Sequence, residues 1–392
     1  MFDLVPPHLN KYVDEGKLPG YLLLVARQGQ PAFVHRYGMR DVDAGLPVEE
    51  DTIFRFYSMT KPITSVALLS LYEQGLFQLN DPVSRFIPTF KALQVYEFGE
   101  GNAISTKPAD REMTIRDLFT HTAGFTYGFL GGHPVADLYS QRDIRSGTAQ
   151  EMVTHLADLP LLFSPGTRWN YSVATDVLGY LIEVISGLPL DRFFAETIFQ
   201  PLGMKDTGFY VPEEKVSRFA CCYDYAQDET SRDTFVPSNH PTIGRYLSRP
   251  TFLSGGGGLV STMADYFRFT QMMLNKGVLG GERILGRKTV ELMTSNHLPN
   301  NRDLAGMGMP VFSETPYDGI GFGLGVSVVL NPAAAQILGS PGEYAWGGLA
   351  STAFWIDPAE EMIVIFLTQL IPSSSYPIRQ ELRVMTYQSI EN

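Results

Sequence analysis

Short β-prone runs stand at the two ends of this 392-residue sequence, and helical patterns fill the stretch between them. Near the start, "YLLLVARQGQPAFVHRYGMRDV" sets two apolar runs on either side of the turn-forming "RQGQP", which predicts a strand pair. Near the end, "FGLGVSVVL", "EYAWGG", "STAFWIDP" and "EMIVIFLTQ" are separated by Gly, Pro and acidic turns, which predicts an antiparallel meander. The simplest assembly is one sheet built from both termini. The expected fold class is therefore α/β of the α+β type. It has an α/β domain from residues 1–80 and 255–392, and an inserted, mainly helical domain over 81–254.

The apolar spacing predicts helices at several places. One runs from about Thr60 to Gly75, with Gly75 as its C-terminal stop. A short one lies in "MTIRDLFTHTAGF", ending near Gly124, and another in "AQEMVTHLADLPLLF". "PGTRWNYSVATDVLGYLIEVISGLPL" reads as a loop entering a helix, with Ser172 as N-cap. "LDRFFAETIFQPLGM", "TMADYFRFTQMMLNKG" (capped near Thr262) and "YPIRQELRVMTYQSI" complete the set. Residues 206–250 are polar and turn-rich and give no assignment.

Hydrophobic residues make up 44% of the chain and charged ones 18%, a globular balance. The formal net charge of −12, with no basic run, excludes nucleic acid as the expected partner. Cys221 and Cys222 are adjacent, which disfavours a disulfide framework and suits a reducing compartment. The first twenty residues lack the pattern of a signal peptide, and no window reaches 18 consecutive apolar residues. The expectation is a cytoplasmic protein without a membrane span. The seven histidines show no metal-ligand spacing, so neither a metal nor a cofactor is expected. Oligomeric state is not legible.

Within "FYSMTKPITSVALLSLYEQG", Ser58 and Lys61 are three residues apart at the mouth of an apolar helix. Positions i and i+3 share a helix face with Cβ atoms about 5–6 Å apart. A serine hydroxyl is a poor nucleophile unless a base lies within hydrogen-bond reach. A lysine serves as that base once burial or neighbouring cations lower its pKa. The helix N-terminus adds N–H groups and a positive dipole end for developing negative charge. Read alone, the pair is better explained as a helix cap followed by a solvated lysine.

In context, "SMTK" resembles the Ser-x-x-Lys motif of the serine β-lactamase and penicillin-binding-protein superfamily. "LFTHTAGF", "FSPGTRWNYSVATDVLGYLIE", "SGGGGLVSTMADYFRF" and "WGG" resemble further segments of that superfamily, in the expected order, from about residue 20 to 370. The resemblance implies the β-lactamase-like fold, with catalytic roles for Ser58, Lys61 and Tyr171. It also implies an oxyanion hole from the backbone N–H groups of Ser58 and Leu349. Trp346, Gly347 and Gly348 would line the substrate site at the third motif. Tyr127, Phe125 and Phe129 follow "HTAG" and either line the acyl pocket or serve ordinary packing. The proton acceptor stays open between Lys61, Tyr171 and the pair. His121 reads as a structural hydrogen-bonding residue.

Two departures matter. The second motif reads Tyr171-Ser172-Val173, where class C β-lactamases carry Tyr-x-Asn, and Trp346 replaces the lysine of Lys-Thr-Gly. An indole removes attraction for an anionic group and leaves an apolar wall. This pattern resembles the family VIII carboxylesterases and implies hydrolysis of small, weakly polar carboxylic esters. The alternatives are a β-lactamase, D,D-peptidase or D-amino-acid amidase of the same superfamily, or a binding protein that acylates without turnover. The absence of Gly-x-Ser-x-Gly excludes an α/β-hydrolase nucleophile elbow.

Overall fold

The computed structural model describes residues 2–240, 244–308 and 317–390. Strands from both ends of the chain form one eight-stranded sheet. In chain order these are β1 (Gly20–Arg27), β2 (Gln30–Asp41), β3 (Leu46–Pro47), β4 (Ile320–Phe322), β5 (Ser327–Val329), β6 (Tyr344–Gly347), β7 (Ala353–Asp357) and β8 (Met362–Leu367). Their spatial order is β4-β5-β6-β7-β8-β1-β2-β3, antiparallel throughout. The β8–β1 pairing, with Leu22 opposite Leu367 and Val25 opposite Val364, joins the two ends.

Side chains alternate across a strand, so the central strands β1 and β8 feed two cores. Leu22, Leu24, Ile363, Ile365 and Leu367 enter the main core, which also holds Ile63, Val66 and Leu68 of helix α2 (Thr60–Glu73). Tyr21, Leu23, Val25, Val364 and Phe366 enter a second core on the other face. Val5 and Leu9 of α1 (Val5–Asp14) close that face, with Ile378 and Leu382 of α5 (Ile378–Tyr387). Two covered faces explain why β1 and β8 read as continuous apolar runs.

Between the sheet halves lie α3 (Ala174–Ser186) and α4 (Met263–Leu274), with shorter helices around them. Helix α2 is buried at every position from Thr60 to Leu71. A helix apolar all round belongs inside. Gln74 caps it and Gly75, at φ 75°, turns the chain away.

Several expectations needed adjustment. Helix α3 starts at Ala174 with Val173 in the capping position. Ser172 still accepts the Ala174 N–H, at 3.3 Å, one residue upstream of the cap. The helix in "MTIRDLF" stops at Phe119, because His121 (φ 55°) and Gly124 (φ 91°) turn the backbone left-handed before the anticipated end. The unassigned stretch contains a hairpin, Tyr223–Gln227 with Asp233–Pro237, joined in parallel by Leu370–Ile371. Helix α1 was not anticipated.

The segment from Thr114 to Thr122 is tied down by one carboxylate. Asp117, 3% exposed, accepts from Arg111 at 2.6 and 2.8 Å, from the Thr114 N–H at 2.8 Å and from two threonine hydroxyls. Asp117→Ala leaves these donors unpaired and removes the capping box. The expected loss is on the order of 3 kcal/mol. It should appear as a lower urea midpoint with an unchanged slope. A midpoint equal to wild type would refute the role of this network.

Candidate active site

Ser58 lies in a single 3₁₀ turn, Tyr57–Met59, that runs directly into α2. The turn is held on several sides. Phe54–Arg55 pairs with Val260–Ser261, and the Phe56 N–H bonds the Leu259 carbonyl at 3.0 Å. Gln369 brackets the Arg55 backbone with two bonds of 3.1 Å, and the Tyr266 hydroxyl donates to the Met59 carbonyl. These contacts fix Tyr57 at φ 44°, a left-handed conformation that costs a non-glycine residue about 1–3 kcal/mol.

Lys61 is wholly buried one helical turn on. Its Nζ lies 3.2 Å from Ser58 Oγ and donates to the Gly256 carbonyl at 2.6 Å. Burial lowers the ammonium to about 7; the Asp176 carboxylate opposes the fall and Arg145 adds to it. The amine is thus readily neutral near pH 7, and its lone pair can then accept the Ser58 proton.

Tyr171 arrives from the loop before α3. Its hydroxyl donates to Ser58 Oγ at 2.6 Å, and Lys61 Nζ stands 4.5 Å from its ring centroid. Burial raises this phenol above its ordinary value, against hydrogen bonding with Ser58 and Trp346. Trp346 stands at the same ring, 5.4 Å between centroids. Of the two groups on Ser58, the lysine is the one whose environment favours its neutral, proton-accepting form.

The end of β6 explains the glycine pair. A Cβ on Gly347 would lie 2.4 Å from the Arg379 guanidinium, and one on Gly348 would lie 2.5 Å from the Phe56 carbonyl oxygen. Side chains are excluded, so the strand backbone passes close to the serine turn. The Leu349 N–H next in line has no bonded acceptor among the described residues. Arg379 donates to the Thr352 carbonyl at 2.6 Å, and burial lowers its guanidinium to about 9. Its helix, α5, is anchored by the Arg383–Glu343 pair at 2.6 Å.

A cavity of about 410 Å³ opens over Ser58. Ser58, Tyr127, Tyr171, Trp346, Gly347, Gly348 and Leu349 all line it, while Lys61 is buried behind Ser58 and is not part of the lining. Phe129 stacks on Tyr127 at 4.8 Å between centroids and also borders the cavity; Phe125 is fully buried against Phe90. His121 stays outside. It is buried behind Tyr171, with Nδ1 3.2 Å from Ser172 Oγ, and burial holds it well below the usual imidazole range.

Sequence reasoning missed Gly256, Asp176, Arg145 and Arg379. Asp176 accepts from the Ser254 hydroxyl at 2.5 Å and from the Gly256 N–H at 2.9 Å, thereby fixing the carbonyl that holds Lys61. A usable signal existed there: a carboxylate in the first turn of the largely apolar α3. Among the described residues, no group of three or more His, Cys, Asp or Glu side chains is placed to hold a metal, and no helix is long and apolar enough to cross a membrane.

The same architecture recurs in known proteins. Protein Rv1367c of Mycobacterium tuberculosis is 36% identical over 372 residues, covering 94% of this chain and 90% of that one. Esterase EstB of Burkholderia gladioli is 33% identical over 371 residues, covering 90% and 86%. The solved structure of EstCE1, described as a hydrolase with promiscuous acyltransferase activity, superposes with a TM-score of 0.81 at 27% identity over 98% of both chains. The Beta-lactamase family model matches residues 7–384, nearly the whole sequence, and the chain therefore belongs to the beta-lactamase family.

Proposed function

We propose that the protein is a serine carboxylesterase that hydrolyses compact carboxylic esters through an acyl-enzyme on Ser58. The observation that carries this reading is the position of Ser58 Oγ. It sits 3.2 Å from a buried lysine amine and 2.6 Å from a phenol, at the base of an open cavity. The cavity would lie where the sheet domain, residues 1–80 and 255–392, meets the inserted domain, 81–254.

Neutral Lys61 takes the Ser58 proton as Oγ attacks the ester carbonyl. A Ser58 Oγ–carbonyl bond forms and the carbonyl π pair moves onto oxygen. The N–H groups of Ser58 and Leu349 receive that oxyanion. Collapse breaks the bond to the alcohol oxygen. Tyr171 donates its proton to the leaving alkoxide and is reprotonated from Lys61. Water then attacks the acyl-enzyme by the reverse proton path, releasing the carboxylic acid and restoring Ser58.

Ester preference over β-lactams rests on Trp346 and Val173, which stand where class C relatives carry a lysine and an asparagine. EstB, an esterase by name, supports the same choice. Aromatic walls from Tyr127 and Trp346 beside Ser58 favour small acyl groups.

Ser58→Ala should abolish hydrolysis of p-nitrophenyl butyrate, and a fluorophosphonate should label Ser58 on peptide mapping. A label on another serine overturns the assignment. A panel adding nitrocefin and a D-alanyl peptide separates the esterase from a β-lactamase or peptidase; faster turnover of either would reverse the choice.

The pH profile follows from Lys61. With its amine near 7, kcat/KM should fall as pH drops through about 7, because the protonated amine accepts nothing. Lys61→Ala should remove this limb and, like Tyr171→Phe, cost on the order of 10²–10⁴ in kcat. A flat profile between pH 5 and 8 in the wild type, or near-full activity of Tyr171→Phe, would contradict the scheme.

A further inference from the structure

The cavity is aromatic beside Ser58 but cationic elsewhere. Arg145 and Arg245 line it, and Asp143 is the single carboxylate among its lining residues. Both arginines are partly exposed. Arg145 has its guanidinium carbon 5.6 Å from the Tyr127 ring centroid, and Arg245 lies 5.4 Å from that of Tyr246. Among the described residues neither has a carboxylate partner. Arg142, three residues before Arg145, pairs with Asp158 at 2.9 Å, and Arg249 pairs with Asp191 at 2.7 Å. In a chain of net charge −12, carboxylates are plentiful, yet among the described residues these two cavity-lining guanidiniums pair with none.

The two converge. Tyr127 carries Arg145 near its ring and Lys61 Nζ 5.6 Å from the same centroid. Tyr246, beneath Arg245, donates to the Gly257 carbonyl at 3.0 Å, next to the Gly256 carbonyl that holds Lys61. His240 is lowered by burial and by both arginines, with Asp224 opposing. Arg379 is not part of this group, since carbonyl oxygens of Gly348 and Thr352 already occupy it.

A guanidinium keeps its charge at any working pH and matches a carboxylate with two parallel N–H groups. The protein's overall negative charge repels anions, but screening beyond about 8 Å leaves the local field to decide inside the cavity. We propose that Arg145 and Arg245 form an anion subsite, and that the ester presented to Ser58 carries a carboxylate that binds there. The proposal rests on the reading of Ser58 as the nucleophile of ester hydrolysis and names the class of ester. The carbonyl end enters an apolar, aromatic pocket and the charged end remains at the arginines.

The test compares matched esters that differ only in charge. One pair, 4-acetoxybenzoate and 4-acetoxybenzamide, places the charge on the alcohol side. The other, monoethyl succinate and ethyl succinamate, places it on the acyl side. In at least one pair the wild type should favour the carboxylate in kcat/KM. Arg145→Gln should cut that preference tenfold or more, and Arg245→Gln should change it in the same direction. Any general change in rate through Lys61 affects both members and cancels in the ratio. A shift of less than twofold in both pairs, in folded Arg145→Gln protein, overturns the subsite while leaving the esterase reading intact. If the wild type hydrolyses none of the four, or p-nitrophenyl butyrate, the esterase reading fails instead. Calorimetry with 4-hydroxybenzoate and 4-hydroxybenzamide then decides the subsite. Binding of the carboxylate alone, lost in Arg145→Gln, supports it; equal binding of both refutes it.

Discussion

The pairing of β1 with β8 is the contact on which the site depends. It sets Leu22 opposite Leu367 and thereby closes a sheet whose halves are separated by the whole helical middle of the chain. Until it forms, β6 has no fixed relation to the serine turn. Once formed, it places the Gly347–Gly348 backbone against Phe56, with a distance that no side chain could share. Closing so long a loop is entropically expensive, though the cost grows only logarithmically with length. The two covered faces of the sheet supply the opposing term through apolar burial.

Within that frame the decisive electrostatic choice is a buried lysine. An ammonium removed from water loses solvation, and the chain responds with one carbonyl bond from Gly256 and the field of Asp176, not with a direct ion pair. A contacting carboxylate would hold the lysine protonated and useless as a base. Placing Asp176 one hydrogen bond away, on the Gly256 N–H, stabilises the fold around the amine while leaving it free to lose its proton. The strained Tyr57 backbone belongs to the same arrangement, since it turns Ser58 toward that amine.

What could be read from the sequence follows from the kind of signal each feature carries. Ser58 and Lys61 are legible because helical periodicity fixes their relation locally. The sheet strands are legible as apolar runs between turn residues. Helix α1 was hidden by Pro6 and Pro7, which look like breakers but occupy the first helical turn, where no N–H is needed. The hairpin at Tyr223–Pro237 is polar on its exposed side and has no strong alternation. The Gly256 carbonyl could not be found at all, because backbone acceptors carry no side-chain signature. Arg145 and Arg379 escaped for a different reason: a single arginine in a polar loop or on an amphipathic helix looks like any solvated charge.

The indole at position 346 acquires a physical reason in this setting. The surroundings of Ser58 already hold Lys61, lowered to about 7, and Arg379, lowered to about 9, both by burial first. Another ammonium at the end of β6 would join them in a region with little solvent to screen it. It would depress Lys61 further and, in the proposed scheme, oppose the protonated state that follows transfer of the serine proton. Trp346 instead contributes a neutral wall beside Tyr171 and hydrogen bonding that acts on the same phenol. Arg145 and Arg245 line the cavity outside the sheet, and because Arg145 helps hold the Lys61 ammonium low, a substrate carboxylate that meets it would also raise the lysine's affinity for its proton.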